Sequence, residues 1–212
     1  MVGTLRTAVY IDGFNLYHRA LRNTKYKWLN LKDLATHCLG PENEVVLLKY
    51  FTARVSGRKD PDQPRRQEIY LKALRTIPNL SIYFGRFLTK TKMRPLVNPQ
   101  PGCTKYAEFF DTEEKGSDVN LAVHMLHDGW KNLYDVAVVI TKDTDLIEPI
   151  RIVIDDLKKP VILFCPDNDA PKGLKDVVSY VRHVTPQRLS VCQFPDVIVC
   201  KQGNRITKPD TW

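Results

Sequence analysis

The sequence lacks the features that define several large protein classes. Its five cysteines (Cys38, Cys103, Cys165, Cys192 and Cys200) are an odd number, with no CxxC pair and no Cys/His ligand spacing. That pattern argues against a disulfide framework and a zinc site, and suits a reducing, cytoplasmic setting. The histidines show no ligand spacing either; His124 and His127 share a helix side at i, i+3, but no zinc set completes them. No stretch approaches the ~20 apolar residues of a membrane span. Met1 to Ala8 enters a strand-like run without the apolar core or cleavage signature of a leader. There is no glycine-rich phosphate loop, no nucleophile elbow and no Ser/His/Asp order. Internal repeats and low-complexity segments are also missing.

Acids are absent from one long stretch. Between Ile69 and Ala107 there is no Asp or Glu, and from Arg54 to Lys105 twelve Lys and Arg stand against three acids. Of a net charge of +8, this segment holds +9 and leaves the remainder at −1. A solvated basic face is one reading, and the electrostatic footprint of a polyanion binder is the other.

What is present reads as an α/β chain. Thr7 to Asp12 is a short apolar run that ends in an acid before Gly13, a buried strand entering a turn, and Phe14 to Arg22 follows with helical spacing. Glu44 to Val55 and Leu80 to Leu88 read as strands, and Arg65 to Thr76 as a helix closed by Pro78. Thr89 to Thr104, with Pro95, Pro99, Pro101 and Gly102, reads as a long loop, and Lys105 to Phe110 as a short strand. Ser117 to Trp130 is a helix, Val136 to Ile140 a strand, Ile147 to Leu157 a helix and Val161 to Phe164 a strand. Alternating helices and continuously apolar strands predict a mostly parallel sheet covered on both faces. We expect one domain over residues 1–190, with residues 191–212 as a tail packing on it or extending from it.

Carboxylates mark the candidate site. Asp12 follows the first strand, with Asn15 three residues on, and Asp143 and Asp145 follow the strand Val136 to Ile140. Ligands of open α/β sheets bind at the carboxyl ends of strands, so these acids converge if their strands are neighbours. Asp118 shares a helix face with Ala122, Met125 and Gly129, which aims it at the sheet from the first helical turn. Taken singly, Asp118 is explained by the helix dipole, Asp12 by a turn and Asp143-Thr-Asp145 by a helix cap. Together they would repel one another unless a hard cation such as Mg²⁺ or Mn²⁺ neutralised them. On this reading Asp12 and Asp143 are direct ligands, Asp118 positions a second ion or the attacking water, and Asp145 completes the set. Asn15 steadies the acids or touches the scissile phosphate.

Nucleic acid would then be held by Arg54, Arg58, Arg86, Lys90, Lys92, Arg94, Lys115 and Lys142, cations that position a phosphate backbone without reading sequence. Tyr83, Phe84 and Phe87 lie among the basic residues and could stack on bases, although strand aromatics are more often core. Lys115-Gly116 at a helix start could bind phosphate or simply form a turn. Asp167 and Asp169, after another strand, could supply an outer acid or only a solvated turn.

The segments Tyr10-Ile-Asp-Gly-Phe-Asn-Leu-Tyr17, Glu114-Lys-Gly-Ser-Asp-Val-Asn-Leu-Ala122 and Asp143-Thr-Asp-Leu-Ile-Glu-Pro-Ile150 resemble those of NYN domain proteins, a branch of the PIN-like nucleases. Gly85-Arg-Phe87 and Lys208-Pro-Asp-Thr-Trp212 extend the resemblance over nearly the whole chain. It implies a PIN-like three-layer sandwich and divalent-metal-dependent RNA cleavage. By motif it matches Asp12, Asp118, Asp143 and Asp145 to the family's metal-binding acids and Asn15 to their polar companion. Thr141 and Lys142 depart from the family's usual Ser followed by Gly or Asn. His124 stands where many relatives carry an acid, and Asp128 is a candidate substitute. The leading expectation is a metal-dependent endoribonuclease acting on single-stranded RNA. An RNA-binding module of the same fold without catalysis is the alternative, and a nucleotide-sugar transferase using Asp143-Thr-Asp145 is a third. Oligomeric state is left open, a homo-oligomer included.

Overall fold

The computed structural model describes residues 3–58, 60–100, 102, 104–200 and 203–212. Pro101 and Cys103 lie outside the described residues.

Along the chain, β1 (Leu5–Asp12) leads into a short helix α1 (Gly13–Leu16) that widens into a π-helical turn, Tyr17–Leu21. Helix α2 (Leu31–Cys38) is capped by the Asn30 side chain, which accepts from the Lys32 and Asp33 amides. Strand β2 (Asn43–Thr52), helix α3 (Gln63–Leu74) and strand β3 (Leu80–Phe84) follow. Then come strands β4 (Arg86–Pro95) and β5 (Tyr106–Lys115), helix α4 (Ser117–Trp130) and strand β6 (Val136–Ile140). Helix α5 (Ile147–Asp155), strand β7 (Val161–Cys165), helix α6 (Lys172–Lys175), strand β8 (Tyr180–His183) and helix α7 (Pro186–Val191) complete the body. A small ribbon of β9 (Val197–Val199) and β10 (Arg205–Thr207) lies near the end.

Six strands form one wholly parallel sheet in the order β3-β2-β1-β6-β7-β8. Alternate residues of each strand feed two cores, because successive side chains point to opposite faces. Val9, Ile11, Leu48, Tyr50, Val138 and Ile140 pack with α2, α3 and α7. Ala8, Tyr10, Phe51, Ala137, Val139 and Leu163 pack with α4, α5 and α6. This is the expected three-layer α/β sandwich. Past residue 191, Pro195 and Trp212 lie against it: the Trp28 indole donates to the Pro195 carbonyl at 2.9 Å, and Trp212 packs on Trp28 and Tyr70.

Two expectations are corrected. The strand expected over Leu80–Leu88 breaks at Gly85: β3 stays in the sheet and β4 leaves it. Of the segment expected to be a loop over Thr89–Thr104, Thr89 to Pro95 is instead part of the outgoing arm of a long antiparallel ribbon, and the described residues beyond it lie outside any strand. The ribbon's register runs from Arg86↔Lys115 to Pro95↔Tyr106. The ribbon is solvated and unpaired on its outer edges, where Pro95 is tolerated at a strand end, so no buried stripe announced it in the sequence.

Candidate active site: an acidic crevice where the sheet reverses order

Strand order grows outward from β1 to β2 and β3, then resumes on the other side of β1 with β6. The carboxyl ends of β1 and β6 therefore flank the topological switch point, where α/β sheets open a binding crevice. Asp12 ends β1, and Asp143 follows β6 by three residues.

Asp12 is almost fully buried, at 2% exposure. It accepts from the Asn15 amide at 2.9 Å, from the Asn15 side-chain NH₂ and from the Thr141 hydroxyl at 3.0 Å. Thr141 in turn accepts from the Asp143 amide at 3.0 Å, and Asp143 caps the next turn by accepting from the Asp145 amide at 2.9 Å. A single chain of hydrogen bonds thus links Asn15, Asp12, Thr141, Asp143 and Asp145. Burial pushes the Asp12 carboxyl above its usual range; the Asn15 and Thr141 bonds offset part of this and Asp143 adds to it.

Asp118 comes from the first turn of α4, as its helical phase predicted, and is half-buried. Burial, and then the fields of Asp12, Asp143, Glu114 and Asp145, push its pKa up to about 6. Asp118 thus lies within electrostatic reach of Asp12, Asp143, Glu114 and Asp145. Asp145 is exposed.

Glu114 joins this group, a member that sequence reasoning did not assign. Its carboxylate accepts from the Ser117 amide at 3.3 Å and the Ser117 hydroxyl at 2.5 Å, holding the β5–α4 turn. A Glu three residues before the first helical residue was the available signal. Between them Gly116 has φ +101°, a left-handed conformation that favours glycine, and there the chain turns from β5 into α4.

Among the described residues, no three His, Cys, Asp or Glu side chains stand close enough to form a ready metal cage. The donor set nevertheless suits a hard cation. Mg²⁺ is commonly held by one or two carboxylates, with water and substrate phosphate completing its shell. Asp12 accepts three bonds, while a carboxylate offers about four acceptor positions. Asp143, Asp118 and Asp145 also present oxygen donors.

Other candidates lie elsewhere. Asp128 is buried on the Lys49 ammonium at 2.6 Å and accepts from the Tyr10 hydroxyl at 2.8 Å, so it does not substitute for an acid of the crevice. His124 sits against Lys49 (3.3 Å) and Tyr83, with ring centroids 4.0 Å apart. Lys142, expected at nucleic acid, is held by both oxygens of Asp167 at 3.0 Å and is only 12% exposed. Burial alone would raise the Asp167 carboxyl, but the Asp169 amide and Lys142 hold it below its usual range.

The basic stretch also needs correction. Strand β5 lays acids against it: Lys92 pairs with Asp111 and Glu113, Arg94 with Asp111, and Lys115 with Glu113. Arg54 pairs with Glu68 and lies over the Phe84 ring. Among the described residues Arg58, Arg86 and Lys90 form no ion pair. The excess looked one-sided because it was counted to Lys105, just before its partners begin.

The parallel sheet covered by helices on both faces defines a three-layer α/β domain with acids at its switch point. The chain belongs to the NYN domain family, which it matches over residues 6–185. It is similar to a protein of Pseudomonas putida (strain DSM 28022 / S16) named 6-hydroxy-3-succinoylpyridine 3-monooxygenase. The two are 30% identical over 238 residues, covering 98% of this chain and 75% of the relative. In fold it is similar to a protein of unknown function from Vibrio parahaemolyticus RIMD 2210633. That likeness has a TM-score of 0.54 at 16% identity, over 86% of this chain and 94% of the other. No helix among the described residues is long and apolar enough to cross a membrane.

Proposed function

We propose that the protein is a divalent-metal-dependent ribonuclease that hydrolyses phosphodiester bonds of single-stranded RNA. The observation that carries this reading is the chain of hydrogen bonds from Asn15 through Asp12 and Thr141 to Asp143 and Asp145 at the carboxyl ends of β1 and β6, with Asp118 within their electrostatic reach. Asp12 and Asp143 would hold Mg²⁺ or Mn²⁺, with Asp118 beside them. Such an ion lowers the pKa of a bound water and offsets charge on the leaving oxygen. Asn15 and Thr141 fix the Asp12 carboxylate, and with it the crevice geometry. Asp118, on the first turn of α4, would position the attacking water or a second ion beside Asp12 and Asp143. In such a hydrolysis the water oxygen would bond to phosphorus as the bond to the leaving ribose oxygen breaks, one proton of the water passing to a crevice carboxylate and the leaving oxygen taking a proton from solvent.

The test is cleavage of labelled single-stranded RNA with Mn²⁺ by the wild type, Asp12→Asn and Asp143→Asn. Outer-sphere partners of metal ligands command ~10–100-fold effects, so each substitution is expected to cost about 100-fold or more. Equal cleavage by all three proteins overturns the reading.

A second reading draws on a cavity of about 1010 Å³ beside the crevice, lined by aromatic rings and arginines. The Pseudomonas relative is named for a pyridine derivative with an acidic side arm, and such a molecule suits a site of this kind. Consumption of 6-hydroxy-3-succinoylpyridine that depends on oxygen and an added two-electron reductant, with RNA left intact, would select this reading.

A further inference from the structure

Gly13, directly after Asp12, lines the large cavity, which opens on the opposite face of the sheet edge from Asp118. A Cβ at Gly13 would lie 2.6 Å from the Tyr50 ring, so only glycine lets α1 start this close to β2. The ribbon β4–β5 overhangs the cavity and contributes aromatic rings. Phe87 meets Phe14 edge-to-face at 5.5 Å. Phe110 is 74% exposed, and the Arg58 guanidinium lies 5.2 Å from its ring centre.

Charge separates this cavity from an ordinary apolar groove. Its acids are neutralised: Asp60 pairs with Arg66, and Asp111 with Lys92 and Arg94. Among the described residues, the lining cations Arg22, Lys27 and Arg58 make no ion pair. The uncompensated charge is positive, and the exposed surface beside it is aromatic. That combination fits a planar ring carrying an anionic group. Stacking surfaces next to cations are how proteins hold unpaired bases, and the volume lies at the top of the ~300–1,000 Å³ range of small-molecule sites.

We propose that this cavity is a nucleobase subsite. It takes bases of the single strand whose scissile phosphate reaches Asp12, stacking them on Phe110 and Phe14 while Arg22, Lys27 and Arg58 meet the adjoining phosphates. This rests on the ribonuclease reading for its choice of ligand. The same chemistry in free form is a small heterocyclic acid, and the experiment separates the two sources.

The full chain is titrated in EDTA with a fluorescent single-stranded RNA decamer and read by anisotropy, with UMP and pyridine-3-carboxylate as competitors. Phe110→Ala and Arg58→Ala, both at exposed positions, are expected to raise Kd roughly 5- to 100-fold with unchanged thermal melts. Wild-type-like binding by both cavity variants overturns the subsite, as does no binding by any protein. Displacement of the RNA by pyridine-3-carboxylate at lower concentration than UMP assigns the cavity to a free acid and also overturns it. If cavity variants lose binding while Asp12→Asn cleaves like wild type, the hydrolytic assignment fails and the subsite stands.

Discussion

The Thr141 hydroxyl donates to Asp12 across 3.0 Å, fastening the end of β6 to the end of β1. Neighbouring strands bring these residues together although they stand 129 positions apart in sequence. The same oxygen accepts from the Asp143 amide, so one hydroxyl orients two acids of the crevice.

Removing it therefore disturbs both. Thr141→Val keeps the shape of a fully buried side chain but leaves the Asp143 amide without its acceptor, at an expected cost of about 1–3 kcal/mol. RNA cleavage is expected to fall ~10–100-fold, the range for residues that orient metal ligands. Urea melts and single-turnover cleavage check the two parts, and full activity in the variant would remove Thr141 from the mechanism.

The Asp118 carboxyl gives a pH signature in metal-free protein. Its folded pKa, about 6, lies above the unfolded value near 3.9. Below about pH 4 it is protonated in both states and has no effect. As pH rises from about 4 to 6 the unfolded chain releases the proton first, so stability falls, and the loss is complete above 6. In EDTA the melting temperature of the wild type should decline across that window, and Asp118→Asn should flatten the decline. Superimposable profiles would show that the crevice does not load this carboxylate.

Lys142 is expected to matter for stability and not for RNA. Lys142→Met abandons Asp167 and should cost about 1–3 kcal/mol. The salt dependence of RNA binding should stay unchanged, whereas Arg58→Ala should reduce its slope by about 0.7 per lost phosphate contact. A shallower slope for Lys142→Met would return this lysine to the interface.

Asp128 answers to the same distinction. Lys49 and Asp128 form a buried pair, 11% and 3% exposed, and removing one partner strands the other. Asp128→Ala is expected to cost about 3–5 kcal/mol, and Lys49→Met combined with Asp128→Leu should recover most of it. Metal affinity, measured by Mn²⁺ titration of folded protein, should not change. A weakened Mn²⁺ isotherm would place Asp128 in the site after all.

Much of this protein was legible in its residues. The runs Ala8–Ile11 and Val136–Ile140 are apolar throughout because sheet strands covered on both faces bury every side chain, and an acid follows within three residues of each. The helical phase of Asp118 pointed it correctly. Helix α2 went unread, although Leu31, Leu34, Ala35 and Cys38 follow Asn30 at helical spacing. The ribbon was hidden because its solvated faces carry no apolar alternation and its far end is rich in proline.

What the sequence determined by itself is local: which segments bury, which turn, and which strand ends carry a carboxylate. Backbone preference and hydrophobic period act over a few residues, so they can be read in order along the chain. Tertiary structure alone decided which acids share a crevice and which cations stay free. Coulomb energy depends on separation in space, and the partners of Lys92, Arg94, Lys49 and Lys142 lie 17 to 79 residues away.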